Sequence, residues 1–346
     1  MLLLGTGRVG VPLDLGAATD GVEQAAGNLT RRGSADVGRA LTALGGAVRE
    51  QAAAVAWSEG EVRIGAVAKA SAPFAPAFAT TLAVLTTDAS ASQPVLEAAL
   101  TRTVARSFER ILVDQHPGIG DAVVLLANGT AAAPPLVEGS EGAAAFEAAL
   151  GHLCETLAEG LAMRVPGTRK LLVVTVHGAA SHADALGAAR AIAGSVALRV
   201  ALAAGIAAWP AVLDALGGTS VGLQPSRVGI RFGPVTVVAG GRLAPHDEGA
   251  ASAVAAKSQV DLAVDLGVGA AAATVTTTDL PAEALEYMAI PLDPEPAPEP
   301  EAAEAEVPGT AATDAADVAE EEPPEPPDPS PDLVALDTPG QEPEGG

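Results

Sequence analysis

The sequence predicts an α/β fold rich in antiparallel sheet, followed by an unstructured acidic tail. Three observations lead there. Strand-like runs alternate with helical patterns along residues 1–290. The runs Arg227–Phe232 and Val235–Val238, joined by Gly233-Pro234, read as a hairpin. From Pro291 onward, fourteen prolines stand among seventeen acidic residues, with no Lys or Arg. Such a segment has too little apolar surface to offset its ordering entropy, so 291–346 is expected to stay extended and disordered.

The elements follow in order. Gly5-Thr6-Gly7-Arg8-Val9-Gly10 comes after the apolar run Leu2–Leu4 and satisfies GxGxxG. Three readings compete for it: a dinucleotide-binding turn, an oxyanion-binding turn and a plain tight turn. Pro12 disfavours the first, because it biases Val11 away from helical geometry where the helix should be running. Glu61-Val62-Arg63-Ile64-Gly65 has the alternation of a strand, and the stretch from Phe78 to Asp88 holds a second strand-like run. Ser92-Gln93-Pro94 opens a helix whose apolar face is Leu96, Leu100, Val104 and Phe108. Lys170–Val174 is a continuous apolar run, expected to be a buried strand. Ser181 and Asp184 have the spacing of a capping box, starting a helix that ends near Gly194. His246-Asp247-Glu248 reads as another helix start. Segments 1–168 and 169–290 are expected to be two α/β lobes, with 291–346 as the tail.

Composition bounds the function. The chain has 346 residues, 49% hydrophobic, enough for the core of one large or two small domains. Aromatics are only 2%, so the core is expected to be built from Ala, Val and Leu. The net charge is −24, of which the tail carries −17, leaving −7 for the rest. No basic, aromatic-studded patch appears, which argues against a nucleic-acid partner. The single cysteine, Cys154, excludes an intrachain disulfide and is read as core. Met1–Leu4 is too short for a signal peptide, and Arg199 interrupts the Ala-rich run near 196–209. His177 and His182 are five apart, a poor match to metal spacing. These features describe a soluble cytoplasmic protein with no membrane partner and no metal.

The chemistry is concentrated at Phe78-Ala79-Thr80-Thr81-Leu82-Ala83, at the mouth of the strand-like run ending in Thr86-Thr87-Asp88. A threonine after a small residue can attack the preceding carbonyl, here that of Ala79. Hydrolysis of the ester would leave Thr80 as a new N-terminus. Its freed α-amine, with a reference pKa of about 7.7–8, could act as base for its own hydroxyl. The tetrapeptide alone carries little information.

Its neighbours add more. Lys69-Ala70-Ser71-Ala72-Pro73, then Ala77–Ala83, then Thr86-Thr87-Asp88 resemble the ornithine acetyltransferase (glutamate N-acetyltransferase) family of arginine biosynthesis. In that family the frame is Lys-Gly-Ser-Gly-Met, Asn-Met-Ala-Thr-Met-Leu-Ala and Thr-Thr-Asp. Arg106–Ile111, Leu125–Gly129, Val174–Val176 with Gly178–Ser181, Val264–Gly267 and Thr278–Leu280 resemble later family segments, the last two its C-terminal strands. The resemblance runs in unbroken order over residues 1 to about 290. It implies the layered mixed-sheet α/β fold of the ornithine acetyltransferase type. It also implies ping-pong acyl transfer through Thr80 after cleavage at Ala79-Thr80, with no metal and no cofactor. Thr6 and Gly7 would form the oxyanion hole, and Lys69 would orient the site or bind a substrate carboxylate. For Lys69 a solvated surface lysine is the competing reading. The substrate would be a small acylated amino acid.

The pattern also breaks. The family's substrate loop Thr-Asp-Thr falls on about Leu44-Gly45-Gly46. Its Gly-Glu-Asp-Pro-Asn-Trp falls on Ala204-Gly205-Ile206-Ala207-Ala208-Trp209, so its substrate-binding glutamate is Gly205. Its Asp-Gly-Asp-Thr-Ser-Thr-Asn-Asp loop falls on Asp114–Asp121, and its C-terminal Asn-Ala-Asp-Tyr is replaced from Pro291. Losing one partner of a buried charged contact costs about 2–5 kcal/mol, so ornithine affinity should suffer. The chain also begins at the oxyanion turn, where the family has a substantial preceding segment; read as a divergent, N-terminally short member, its first lobe is expected to expose strand edges. Two functions follow. One is ornithine acetyltransferase-like acyl transfer, impaired or altered in substrate. The other is a catalytically inert paralogue, structural or interacting, whose acidic tail contacts a protein partner. A homo-oligomer is left open by both.

Overall fold

In the computed structural model the described residues are 4–5, 12–30, 32–42, 47–70, 81–112, 121–164 and 167–288. Two helices that the sequence reading does not assign come first, α1 (Leu15–Gly27) and α2 (Ser34–Thr42). Asp14 caps α1, its Oδ1 accepting the Ala17 N–H at 2.9 Å. Most of the GxGxxG motif, residues 6–10, lies outside the described residues. The first described helix after the motif, α1, starts at Leu15.

The first sheet has the order β1-β2-β3-β4. β1 (Ala47–Trp57) and β2 (Gly60–Ala70) form a hairpin closed by the pair Trp57 and Gly60. Along β2, Val62, Ile64, Ala66 and Ala68 are all buried on one face, the period of two that a strand requires. β3 (Thr81–Thr87) runs antiparallel to β2 along its whole length, from Ala70 opposite Thr81 to Ile64 opposite Thr87. β4 (Ala122–Ala127) joins parallel to β3, and a parallel neighbour needs a crossover. Helix α3 (Gln93–Arg106) lies in that crossover. The long α4 (Glu141–Ala162) then covers the sheet. Its Phe146, Leu150, Leu153, Leu157 and Leu161 recur at helical spacing and pack with Val62, Ile64, Ala66, Ala68 and Leu85. Each such side chain stabilises by about 1.5–3 kcal/mol on burial.

The expected face of α3 needs one correction. Phe108 lies beyond the helix, in a 3-10 turn (Phe108–Arg110). The Ser107 hydroxyl donates back to the Thr103 carbonyl at 2.7 Å, and the helix stops at Arg106. The buried face is Ala99 and Thr103, flanked by Leu96 and Leu100.

The second sheet has the order β10-β5-β9-β6-β7-β8. Its strands are β5 (Leu171–Ala179), β6 (Gly229–Phe232), β7 (Val235–Ala239), β8 (Arg242–Leu243), β9 (Gln259–Asp265) and β10 (Ala271–Thr278). β5 and β9 are parallel, and every other pair in this sheet is antiparallel. The layered mixed-sheet α/β fold is therefore present. The β6–β7 hairpin turns on Gly233 at φ +49°, the backbone a two-residue loop with glycine first demands. Helices α5 (His182–Ala193), α6 (Val196–Ala203), α7 (Trp209–Gly217) and α8 (Glu248–Ala255) supply the helical layer. Their Ala188, Ile192, Leu198, Val212 and Val254 share one core with Leu172, Val174, Val176, Val260 and Leu262. A last helix, α9 (Ala282–Met288), closes the described chain.

Caps and stops follow the sequence closely. Ser181 Oγ accepts the Asp184 N–H at 3.1 Å and donates to its carboxylate at 2.8 Å, and α5 ends before Gly194. The His246 start is also present, with Asp247 capping α8. The segments Val264–Gly267 and Thr278–Leu280 are strand only in part. Asp265 accepts the Gly267 N–H at 2.9 Å and turns the chain. Asp279 accepts the Arg169 and Lys170 N–H groups, both at 3.0 Å, just past the end of β10. Among the described residues no single helix is long and apolar enough to cross a membrane. The tail 291–346 lies outside the described residues.

Candidate active site

Three strand ends meet at one edge of the first sheet. β2 finishes with Lys69 and Ala70, β3 begins at Thr81, and β4 begins at Ala122. The register sets Ala70 opposite Thr81, Lys69 opposite Leu82, and Leu82 beside Ala122. Of the residues singled out from the sequence, Lys69 falls here. Thr6, Gly7, Ala79 and Thr80 lie outside the described residues. Thr80 is bonded to Thr81, so the sequence ties it to this edge.

Lys69 is not the solvated lysine that was one reading of it. Only 1% of it is exposed. Alternation along β2 places it on the face opposite Ala66 and Ala68, away from α4 and on the side of Leu82. Burial pushes its ammonium below the usual lysine range. Among the described residues no hydrogen bond or ion pair to the ammonium is found. A buried cation is costly unless an anion or developing negative charge meets it.

Asp121 completes the edge, and sequence reasoning missed it. Its Oδ1 accepts the backbone N–H of Thr81 at 2.5 Å, across 40 residues. The signal was the last letter of the Asp114–Asp121 loop, the one acid kept next to a strand start. The Thr-Thr-Asp segment at the far end of β3 has a structural task instead. Thr87 Oγ1 donates to the Arg63 carbonyl at 2.8 Å, and Asp88 accepts the Arg63 N–H at 2.7 Å.

The other candidates resolve plainly. Cys154 is fully buried and its thiol is pushed up to about 12, chiefly by desolvation, so it is no nucleophile. His177 Nδ1 stands 3.5 Å from Asp265, while His182 and His246 contact the backbone carbonyls of Ala272 and Ala244. No cluster of three metal-ligating side chains occurs among the described residues. Gly205 adopts φ +75°, and its loop Ala204–Ala208 offers no side-chain acceptor. Nearby, Lys170 Nζ donates to the Leu202 and Ala255 carbonyls at 2.6 and 2.9 Å, binding the ends of α6 and α8 together. Trp209 packs against the second core. A cavity of about 230 Å³ between α3 and α4, lined by Val95, Ala99, Arg102 and Phe146, borders the helical layer, whereas Lys69 is on the other face of the sheet.

Residues 1–290 match the model of the ArgJ family. The arginine biosynthesis bifunctional protein ArgJ of Symbiobacterium thermophilum is 36% identical over 261 residues, covering 75% of this chain and 65% of that protein. Its counterpart in Synechococcus is 32% identical over 252 residues, covering 73% and 61%. The matched stretch thus spans less than two thirds of either relative's length. A crystal structure of ArgJ from Bacillus halodurans superposes with a TM-score of 0.55 at 28% identity, covering 58% of this chain and 95% of that one.

Proposed function

Because the chain belongs to the ArgJ family, we propose that it performs acyl transfer of the glutamate N-acetyltransferase type, as an ornithine acetyltransferase-like step of arginine biosynthesis. Thr80 Oγ attacks the carbonyl carbon of Ala79. The peptide C–N bond breaks as the Thr80 nitrogen takes the proton, and water then hydrolyses the ester. Ala79 is left as a carboxylate and Thr80 with a free α-amine. That amine accepts the hydroxyl proton as Oγ attacks an N-acylated amino acid, the amino acid leaves, and a second amine removes the acyl group from Thr80. Thr6 and Gly7 act as donors to the acyl oxygen, a contribution of about 10²–10³ in rate for one donor.

The observation that carries this reading is Lys69. A buried, desolvated ammonium one strand away from the start of β3 suits a substrate carboxylate or developing oxyanion. The reading includes two lobes, 1–168 and 169–290, a disordered tail at 291–346, and a cytoplasmic setting. The donor is a small acylated amino acid, and no cofactor takes part.

The test is the intact mass of the full chain beside Thr80→Ala. Two fragments meeting at Ala79 and Thr80 in the first only, with acetyl transfer from N-acetylornithine to glutamate, are expected. A single mass in both overturns the reading. One observation favours a second function: Gly205 and its apolar loop stand where the family has a glutamate. On that reading the chain is an inert paralogue acting through its tail, and deletion of 291–346 abolishes partner binding.

A further inference from the structure

We infer that Asn128 is a modification site: in the folded protein it loses its side-chain amide spontaneously, through a cyclic imide closed by the backbone nitrogen of Gly129.

The chain has two asparagines, Asn28 and Asn128. Asn128 follows the last residue of β4, and Asn128, Gly129 and Thr130 are all exposed. The Asn128 side chain folds forward along the chain. Its Oδ1 accepts the Thr130 N–H at 3.1 Å and the Thr130 hydroxyl at 2.8 Å. A backbone N–H only donates, so that bond fixes which end of the amide is the oxygen. The other end is unheld. Among the described residues Nδ2 has no hydrogen-bond partner, and neither has the Gly129 N–H. Gly129 carries no Cβ to shield its nitrogen, and its φ of +67° suits glycine. Asn28 differs at each point. Its Nδ2 donates to the Gln24 carbonyl at 2.9 Å, and the residue after it is the bulkier Leu29.

These groups suffice for the reaction. The Gly129 nitrogen gives its proton to hydroxide and attacks Asn128 Cγ. A new N–C bond forms and Oδ1 takes up the negative charge. The Cγ–Nδ2 bond then breaks, and ammonia leaves with a proton from water. Both Thr130 donors meet the oxygen on which that charge develops, which is how an oxyanion hole works. Exposed to water, they contribute less than they would in an enclosed site. Water then opens the imide. Attack at Cγ breaks its bond to the nitrogen and gives aspartate. Attack at the Asn128 main-chain carbonyl carbon breaks the original peptide bond and leaves the chain joined through Cγ, as isoaspartate. In total, water enters and ammonia leaves. Either product adds one negative charge at the exit of β4. Isoaspartate also lengthens the backbone by one carbon, between the Asn128 N–H that bonds the Thr87 carbonyl at 3.1 Å and the Ala131 N–H that bonds the Asp88 carbonyl at 2.8 Å.

The test is incubation of the full chain in mildly alkaline buffer, followed by charge separation and peptide mapping. A more acidic form is expected to accumulate at a rate proportional to hydroxide. Its peptide containing residue 128 should hold both aspartate and isoaspartate, while Asn28 keeps its amide. Thr130→Ser retains both donors and should keep the parent rate. Thr130→Val loses the hydroxyl donor and should react about tenfold more slowly in the native chain. In urea, where the turn is gone, the parent and both variants should react alike. Gly129→Ala shields the nitrogen and should be slower in either state, which keeps the test open should Thr130→Val fail to fold. An Asn128 amide that outlasts that of Asn28 overturns the assignment. So does aspartate without isoaspartate, or native Thr130→Val reacting as fast as the parent.

Discussion

Lys69 carries an ammonium that the folded chain removes from water. Desolvation lowers its titration below that of the unfolded chain. Between the two titrations the unfolded state binds more protons, so stability rises with pH through that window. Lys69→Met removes the charge but keeps the stem. It is expected to raise stability by about 0.5–2 kcal/mol near neutral pH, flatten the dependence above it, and abolish acyl transfer. Thermal melts across pH, paired with the transfer assay, check this; a lower melting temperature would show that the ammonium finds a partner in the fold. Cys154 gives a second prediction. With its thiol pushed up to about 12, it should resist iodoacetamide in the native protein and react once urea exposes it. Quantitative native labelling at pH 8 would contradict its burial. The sequence makes Lys69 legible because it lies within a continuous motif. Asp121 is not legible in that way: its partner is 40 residues distant, and only the parallel register brings them together.

Elements were legible where one face is buried and the ends carry side-chain caps. β2 alternates, α5 opens on Ser181, and the β6–β7 turn needs Gly233. Helix α1 was not, since none of its residues is buried. Strand ends were missed where an aspartate side chain captures backbone N–H groups, as Asp265 and Asp279 do. The sequence marks Lys170 only as the first residue of a strand, yet it binds the terminal carbonyls of two helices. Lys170→Met is expected to destabilise by about 1–3 kcal/mol, because the Leu202 and Ala255 carbonyls lose this donor. Chemical denaturation measures it, and an unchanged midpoint would show that water replaces the ammonium at no cost.

At the scale of the molecule, the mixed-sheet class was legible from alternation and turns, while the pairing of β5 with β9 was not, because long-range parallel partners leave no local mark. The proposed cut falls between β2 and β3, which are neighbours in one sheet. It would pass between strands without opening the ladder from Ala70–Thr81 to Ile64–Thr87. Val62, Ile64 and Ala68 would belong to one polypeptide, and Leu85, Phe146 and Leu150 to the other, inside a single core. The contacts stay the same; the molecularity does not. An intact chain folds at a rate indifferent to dilution, whereas a nicked one must find its other half. The nicked protein should therefore melt at a temperature that falls with dilution, unlike Thr80→Ala, and recover poorly from urea at low concentration. Assembly becomes an event in the history of each molecule, done once while its halves are still tethered.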